Sequence, residues 1–386
     1  MSTGDQVWNS AANVTSRPSQ RRVLTYGLVV VAFLIAGLVL SSELGASLGL
    51  RTTVLAALFA ALPLLVVVPT YLWIDRYEAE PTRYLVFGFL WGALCAAAGA
   101  LLLNTGFTLV LLLVGQDPDQ ADLLGAVVSA PVVEEGLKGL GILLIVLLRR
   151  HHFDGIVDGI VYAGLIGAGF AFTENILYLG RIYTDYGGEG LGYLFFLRCV
   201  MGPFAHPLFT SMTGIGLGVA VSLVRTRGAR VAAGVSGYVV AMLLHGFWNL
   251  SASLGSLLRV YVLVQVPIFA GYVATLVWAR RREARQIRLY LSLYADAGWL
   301  THPEVAMLGS LSARREARGW ARHHGGRTSL ASMRAFQDSA SDLALLRARM
   351  ARGAAEPQAA ARERQLLDAV VAHRAGFLSS GAYRAA

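Results

Sequence analysis

Glu134 and Glu135 are followed one helical turn later by Lys138 in the stretch Pro131-Val132-Val133-Glu134-Glu135-Gly136-Leu137-Lys138, and the flanking sequence is almost wholly apolar. Spacings of i+4 and i+3 bring the lysine onto the same helix face as both carboxylates. Two carboxylates against one ammonium leave the group negative, and a positioned carboxylate can take a proton from water as general base. Successive residues lie about 100° apart around a helix, so one glutamate can face reactants while the other turns to a neighbouring helix. The plainer reading is a charge cluster that joins helices.

Three later apolar stretches carry further ionisable side chains. Phe170 and Glu174 share a face at i,i+4. His206 lies between Pro203 and Pro207, which disturb a helix and free backbone carbonyls around the imidazole. His245 precedes Asn249 by one turn, so the amide can orient the ring or meet a substrate carbonyl. Asp154 and Asp158 read as helix-start groups, since acidic side chains suit that end. Each has a bland explanation alone. A charge at the bilayer centre costs at least ~2.5–3.5 kcal/mol, so four consecutive segments bearing such residues point to function.

The elements that must position them are membrane helices. The chain has 386 residues, 55 % hydrophobic and 15 % charged, and its mean hydropathy is +0.56, too apolar for an ordinary soluble protein. An apolar run from about Val23 to Leu40 reads as a first span rather than a signal peptide, only Gly45-Ala46-Ser47 resembling a cleavage site. Further runs follow near 52–74, 84–114, 122–148, 155–179, 192–224, 231–253 and 257–279. Each is long enough, at ~1.5 Å per residue, to cross a core of ~30 Å. The expected fold is therefore all-α, a polytopic membrane helix bundle of about eight transmembrane helices. The segments 84–114 and 192–224 are overlong and should be tilted, kinked or extended.

Arginines fall on alternate connections: Arg21 and Arg22, Arg76 and Arg83, Arg149 and Arg150, Arg225, Arg227 and Arg230, then Arg280 to Arg282. The intervening ones are acidic or neutral, notably Gln116-Asp117-Pro118-Asp119 and the 181–191 loop, with Arg51 and Arg181 as exceptions. The positive-inside rule then places both termini in the cytoplasm. Three parts are expected: a disordered cytoplasmic lead over 1–22, a membrane domain over 23–280, and a cytoplasmic helical tail over 281–386. In the tail, Thr301 with Glu304 forms a capping box, Leu343, Leu346 and Met350 have helical spacing, and Gly325-Gly326 and Glu356-Pro357 read as breaks. Cys95 and Cys199 sit in apolar runs and suggest neither a disulfide nor a thiolate cluster. The net charge of +9 comes from arginine, Lys138 being the sole lysine. That distribution suits anionic lipid better than nucleic acid, and no nucleic-acid partner is expected.

The ordered set Glu134-Glu135-x-x-Lys138, Phe170-x-x-x-Glu174, His206 and His245-x-x-x-Asn249 resembles the PrsW family of bacterial intramembrane proteases, within the broader group that includes CAAX prenyl endopeptidases. The stretches Asp154 to Tyr162 and Glu174 to Tyr178 look like that family too. The resemblance covers roughly residues 60 to 280. A glutamate in the second motif resembles the PrsW branch, the CAAX enzymes usually having histidine there. It implies an intramembrane endopeptidase acting on a single-pass membrane protein such as an anti-sigma factor.

On this reading Glu134 or Glu135 is the general base on water, Lys138 holds the glutamates, and the histidines and Asn249 stabilise the oxyanion or protonate the leaving amine. Glu174, His206 and His245 form a candidate zinc set, two imidazoles and a carboxylate. No HExxH helix accompanies them, so metal dependence stays open. Two other classes compete: a proton-coupled transporter, which would predict paired broken helices in an internal repeat, and a non-catalytic scaffold of the same fold. Nothing in the sequence sets the oligomeric state.

Overall fold

The computed structural model describes residues 20–148, 153, 155–253, 257–353 and 358–379. The lead over 1–19, Arg149, Arg150, Asp154 and the Glu356-Pro357 break lie outside the described residues. Among those described the chain is helical throughout, with no strand.

The first helices are α1 (Gln20–Ser47), α2 (Gly49–Ala61) and α3 (Leu64–Ile74), followed by α4 (Thr82–Leu90), which passes through a π-turn at Trp91–Ala96 into α5 (Ala97–Leu113). A short α6 (Pro118–Leu124) and a second π-turn (Gly125–Ser129) lead into α7 (Ala130–Leu148), which carries both glutamates and Lys138. Next come α8 (Ile156–Phe195), a third π-turn (Phe196–Met201), α9 (Ala205–Ser222) and α10 (Arg227–Ser253). The chain continues through α11 (Leu257–Val260) and a π-turn (Tyr261–Gln265) into α12 (Val266–Asp296), and ends with α13 (His302–Leu308), α14 (Leu311–Ala351) and α15 (Ala359–Ser379).

Five helical stretches, Gly27–Ser47, Thr82–Leu113, Ile156–Ser222, Arg227–Ser253 and Leu258–Asp296, are long and apolar enough to cross a membrane, and α2 with α3, bent by 41°, makes a sixth. Two features account for the difference from the eight spans suggested by the sequence. Helix α7 is interrupted by three charges, and its Glu134, Glu135 and Lys138 are all buried. The stretch Ile156–Ser222 has 67 residues, about 100 Å at ~1.5 Å per residue, and it folds back on itself. The 181–191 segment, expected as a loop, is helical; α8 runs on through it and turns at Gly187, whose φ of 64° favours glycine. The outer surface is apolar, with Leu38, Leu65, Leu113 and Leu263 all exposed, as suits contact with lipid.

Antiparallel packing of α8 on α9 depends on small residues. A Cβ on Gly214 would lie 2.0 Å from the Gly159 carbonyl oxygen, and one on Gly167 only 2.8 Å from the His206 carbonyl group. Such close backbone approach is how membrane helices gain contact where no hydrophobic force separates them from lipid. It also seats His206 against the helix bearing Glu174. Asp158 does start α8, accepting the Gly155 N–H at 2.8 Å.

Beyond residue 280, α12 extends past the bundle and packs Ile287 and Leu291 against Leu308, Phe336, Leu343 and Val370 in a second core. The Thr301–Glu304 capping box forms, and α14 bends at Gly326, φ 66°. Buried Arg314 donates to the carbonyls of Leu308 and Tyr77 at 2.7 and 2.9 Å, joining this core to the connection after α3. Burial pushes its guanidinium down to about 10, and these bonds offset part of that cost.

Gly214→Val forces α8 and α9 apart. We expect it to destabilise the detergent-solubilised protein by about 1–3 kcal/mol, read from thermal unfolding. Gly228→Val, where a Cβ meets nothing within 4 Å, should leave the midpoint unchanged.

Candidate active site

Lys138 occupies the centre of the bundle with none of its surface exposed. Its Nζ donates to Glu135 Oε1 at 2.9 Å, to Glu134 Oε2 at 3.4 Å and to His206 Nδ1 at 3.0 Å. It lies 3.7 Å from the centroid of the Phe170 ring. All three N–H bonds of an ammonium are thereby used.

The two glutamates diverge, as their angular separation on α7 requires. Glu135 is fully buried; besides Lys138 it accepts from Thr210 Oγ1 at 2.9 Å and pairs with His245 Nδ1 at 3.0 Å. Glu134 is held from the other side by Asn104 Nδ2 at 3.4 Å, and Ser129 Oγ donates to Asn104 Oδ1 at 2.9 Å. Its Oε2 lies 3.8 Å from His245 Nε2, beyond a direct hydrogen bond.

These contacts define both imidazoles. His245 directs Nδ1–H at Glu135; in a neutral ring Nε2 then carries the lone pair and faces Glu134. His206 accepts from Lys138 at Nδ1, so Nε2–H donates to Glu174 Oε2 at 2.8 Å. Glu174 in turn accepts from Arg198, whose Nε also donates to Asn175 Oδ1 at 2.8 Å. Three carboxylates against Lys138 and Arg198 leave one negative charge in excess.

The four motif-bearing helices thus bring Glu134, Glu135, Lys138, Glu174, His206 and His245 to one cluster. Asn249 is not part of it. Its Nδ2 donates to the Ala126 carbonyl at 2.8 Å, inside the π-turn that precedes α7, where a widened ring leaves carbonyls in need of donors. Asn249 therefore fixes the entry of α7, and Glu135 rather than Asn249 orients His245. The metal-capable set also differs from the expected one. Single donor atoms of Glu134, His206 and His245 lie within 4.8 Å of one another, whereas Glu174, expected as the third ligand, is engaged by Arg198 and His206 Nε2.

Arg198, Thr210 and Asn104 escaped the sequence reading. Thr210 lies one turn beyond His206, and Arg198 is a lone cation inside the overlong 192–224 run. Both were signals by position, but their partners sit on other helices.

Residues 80–272, half of the chain, match the family model described as PrsW family intramembrane metalloprotease. The chain is 35 % identical over 126 residues to Protease PrsW of Clostridioides difficile (strain 630), covering 32 % of this chain and 49 % of that protein. It is 30 % identical over 175 residues to Protease PrsW of Bacillus subtilis (strain 168), covering 45 % of this chain and 72 % of that one. A third relative, Protease PrsW of Oceanobacillus iheyensis, is 32 % identical over 118 residues, 31 % of this chain and 49 % of the relative. The chain thus spans about half the length of two of these three relatives. No solved structure matches. A multi-pass, all-helical membrane bundle with a polar cluster at its centre is the class that fold and site define. The chain belongs to the PrsW family of intramembrane metalloproteases, and all the motif residues fall inside the matched range.

Removing the ammonium while leaving its acceptors buried should be costly. Lys138→Met is expected to destabilise the protein by about 3–5 kcal/mol, read from unfolding in detergent. Adding Glu135→Gln should recover part of that loss, and full additivity of the two losses would contradict the coupling.

Proposed function

We propose that the chain is an intramembrane endopeptidase that hydrolyses a peptide bond of a single-pass membrane protein, a substrate of the anti-sigma-factor kind. The observation that carries this is the pairing of Glu134 Oε2 with His245 Nε2 across 3.8 Å, which lets one water touch both. Glu134 takes the proton from that water as it attacks the peptide carbonyl. Glu135 is less suited to this, since Lys138, Thr210 and His245 already hold it, against Lys138 and Asn104 for Glu134. It keeps the His245 ring in the tautomer that turns Nε2 inward, and Glu174 orients His206 in the same manner. The proton collected from water passes to the leaving amine through Glu134 and His245. The chemistry requires that water reach this buried pair, where α7 and α10 meet.

As an alternative to that relay, Glu134, His206 and His245 suit a zinc ion in donor type and spacing, in which case Glu134 is a ligand and not the base. Carboxylates behind the imidazoles are the usual support for such a site, and His206 would exchange one of its present bonds for it. Zinc bound there would polarise the carbonyl and ease deprotonation of water. We further place the protease domain at 23–280 in the cytoplasmic membrane, with both termini and the helical tail over 281–386 on the cytoplasmic side.

Cleavage of fluorogenic single-span peptides by the chain in liposomes tests the activity. Glu134→Gln and His245→Ala are each expected to lower kcat by about a hundredfold or more, and Asn249→Ala by less than about tenfold. Unimpaired cleavage by Glu134→Gln would exclude the chemistry. Stable partner binding with no cleavage by the wild type would favour the scaffold. Elemental analysis should find about one zinc per chain in the wild type and in Asn249→Ala, lost in His206→Ala and His245→Ala. Full activity without bound metal would eliminate the zinc assignment.

A further inference from the structure

A cavity of about 290 Å³ lies against the catalytic cluster, and the chemistry above makes no use of it. Its walls come from the bend at 200–205 and the start of α9, from α10 around His245, and from the π-turn that leads into α12. Phe209 belongs to both places: it lines the cavity and stacks on His245, centroids 5.2 Å apart and planes 19° apart. Val200, Phe247, Val266 and Phe269 line the cavity and are themselves exposed on the apolar exterior. An occupant therefore enters sideways from the bilayer and ends beside the histidine.

The lining is apolar with one exception that calls for a partner. Gln265 is 6 % exposed, and its Oε1 has no hydrogen-bond partner. The orientation of this amide is fixed: Ser251 Oγ donates to the Trp248 carbonyl at 2.7 Å and so must accept from Gln265 Nε2, at 2.7 Å. Tyr261, which also lines the cavity, spends its hydroxyl on the Met201 carbonyl at 2.8 Å. A buried amide oxygen left without a donor is costly, and a ligand that brings an N–H removes that cost. A lipid acyl chain would fill the volume but brings no donor. The volume is about twice that of an engineered apolar cavity of ~150 Å³ that takes up benzene, enough for an aromatic or long aliphatic side chain.

We propose that this cavity is the subsite for a bulky apolar side chain of a membrane-spanning substrate, next to the bond that is cut, with Gln265 Oε1 accepting from the substrate backbone N–H. This rests on the peptidase reading above and names the residue class that the site selects. Leu208 is buried and lines the cavity, so a larger side chain there takes up its volume.

The test uses the full chain in liposomes and leucine–alanine single-span peptides with one residue varied as Gly, Ala, Leu, Phe or photoreactive p-benzoylphenylalanine. The wild type should cleave the Leu and Phe peptides about tenfold faster in kcat/KM than the Gly and Ala peptides. Leu208→Trp should reverse that order, and Leu208→Ala should preserve it. Irradiation reads occupancy without turnover, and adducts should map to 200–209 or 261–269 in both the wild type and Glu134→Gln. Equal rates across the series, or adducts elsewhere or only with lipid, would overturn the subsite. Adducts in the cavity with no cleavage of any peptide would instead refute the peptidase reading and leave the pocket standing.

Discussion

The arrangement depends on a single buried ammonium. Lys138 meets both carboxylates of its own helix, the imidazole of α9 and the ring of Phe170 on α8. In lipid an unpaired charge has no water to return to, so each partner needs the others in place. The same bonds that make the cluster tolerable also give it order: three donors hold Glu135, Lys138 and Glu174 hold the two nitrogens of His206, and Glu134 faces His245 Nε2 across 3.8 Å.

Around this centre the fold works mainly to bring backbones close. Gly159 and Gly214 let α8 and α9 touch, and Gly167 seats the backbone of His206. The π-turns before α7 and α9 disturb the helical ladder next to the site, and side chains repair it, as Asn249 does for Ala126. Arg198, carried on the π-turn before α9, reaches back to Glu174 and so extends the charge network along α8. Irregular helices thus coincide with the places where polar side chains must converge.

Much of this was legible in the sequence. Charges in apolar runs are costly enough to announce themselves, and helical spacing correctly placed Lys138 with the glutamates and Phe170 with Glu174. What periodicity could not supply was direction across helices. Nothing in the spacing of His245 and Asn249 says that the amide serves a carbonyl of a distant π-turn, or that Glu135 takes its place behind the ring. For the same reason the donor atoms within 4.8 Å of one another are those of Glu134, His206 and His245, while Glu174 holds His206 through Nε2. The sequence of 155–224 reads as two spans and a loop, whereas α8 stays helical through 181–191 and turns at Gly187, one glycine among 42, whose left-handed backbone leaves no compositional trace.

The most direct test of convergence is an electron cryo-microscopy map of the protein in lipid nanodiscs at a resolution that shows side chains. The account predicts Lys138 Nζ within hydrogen-bond reach of Glu134, Glu135 and His206, with density for a water or ion touching both Glu134 and His245 Nε2. Glutamates and histidines facing separate surfaces of the bundle, with no shared polar volume, would contradict it.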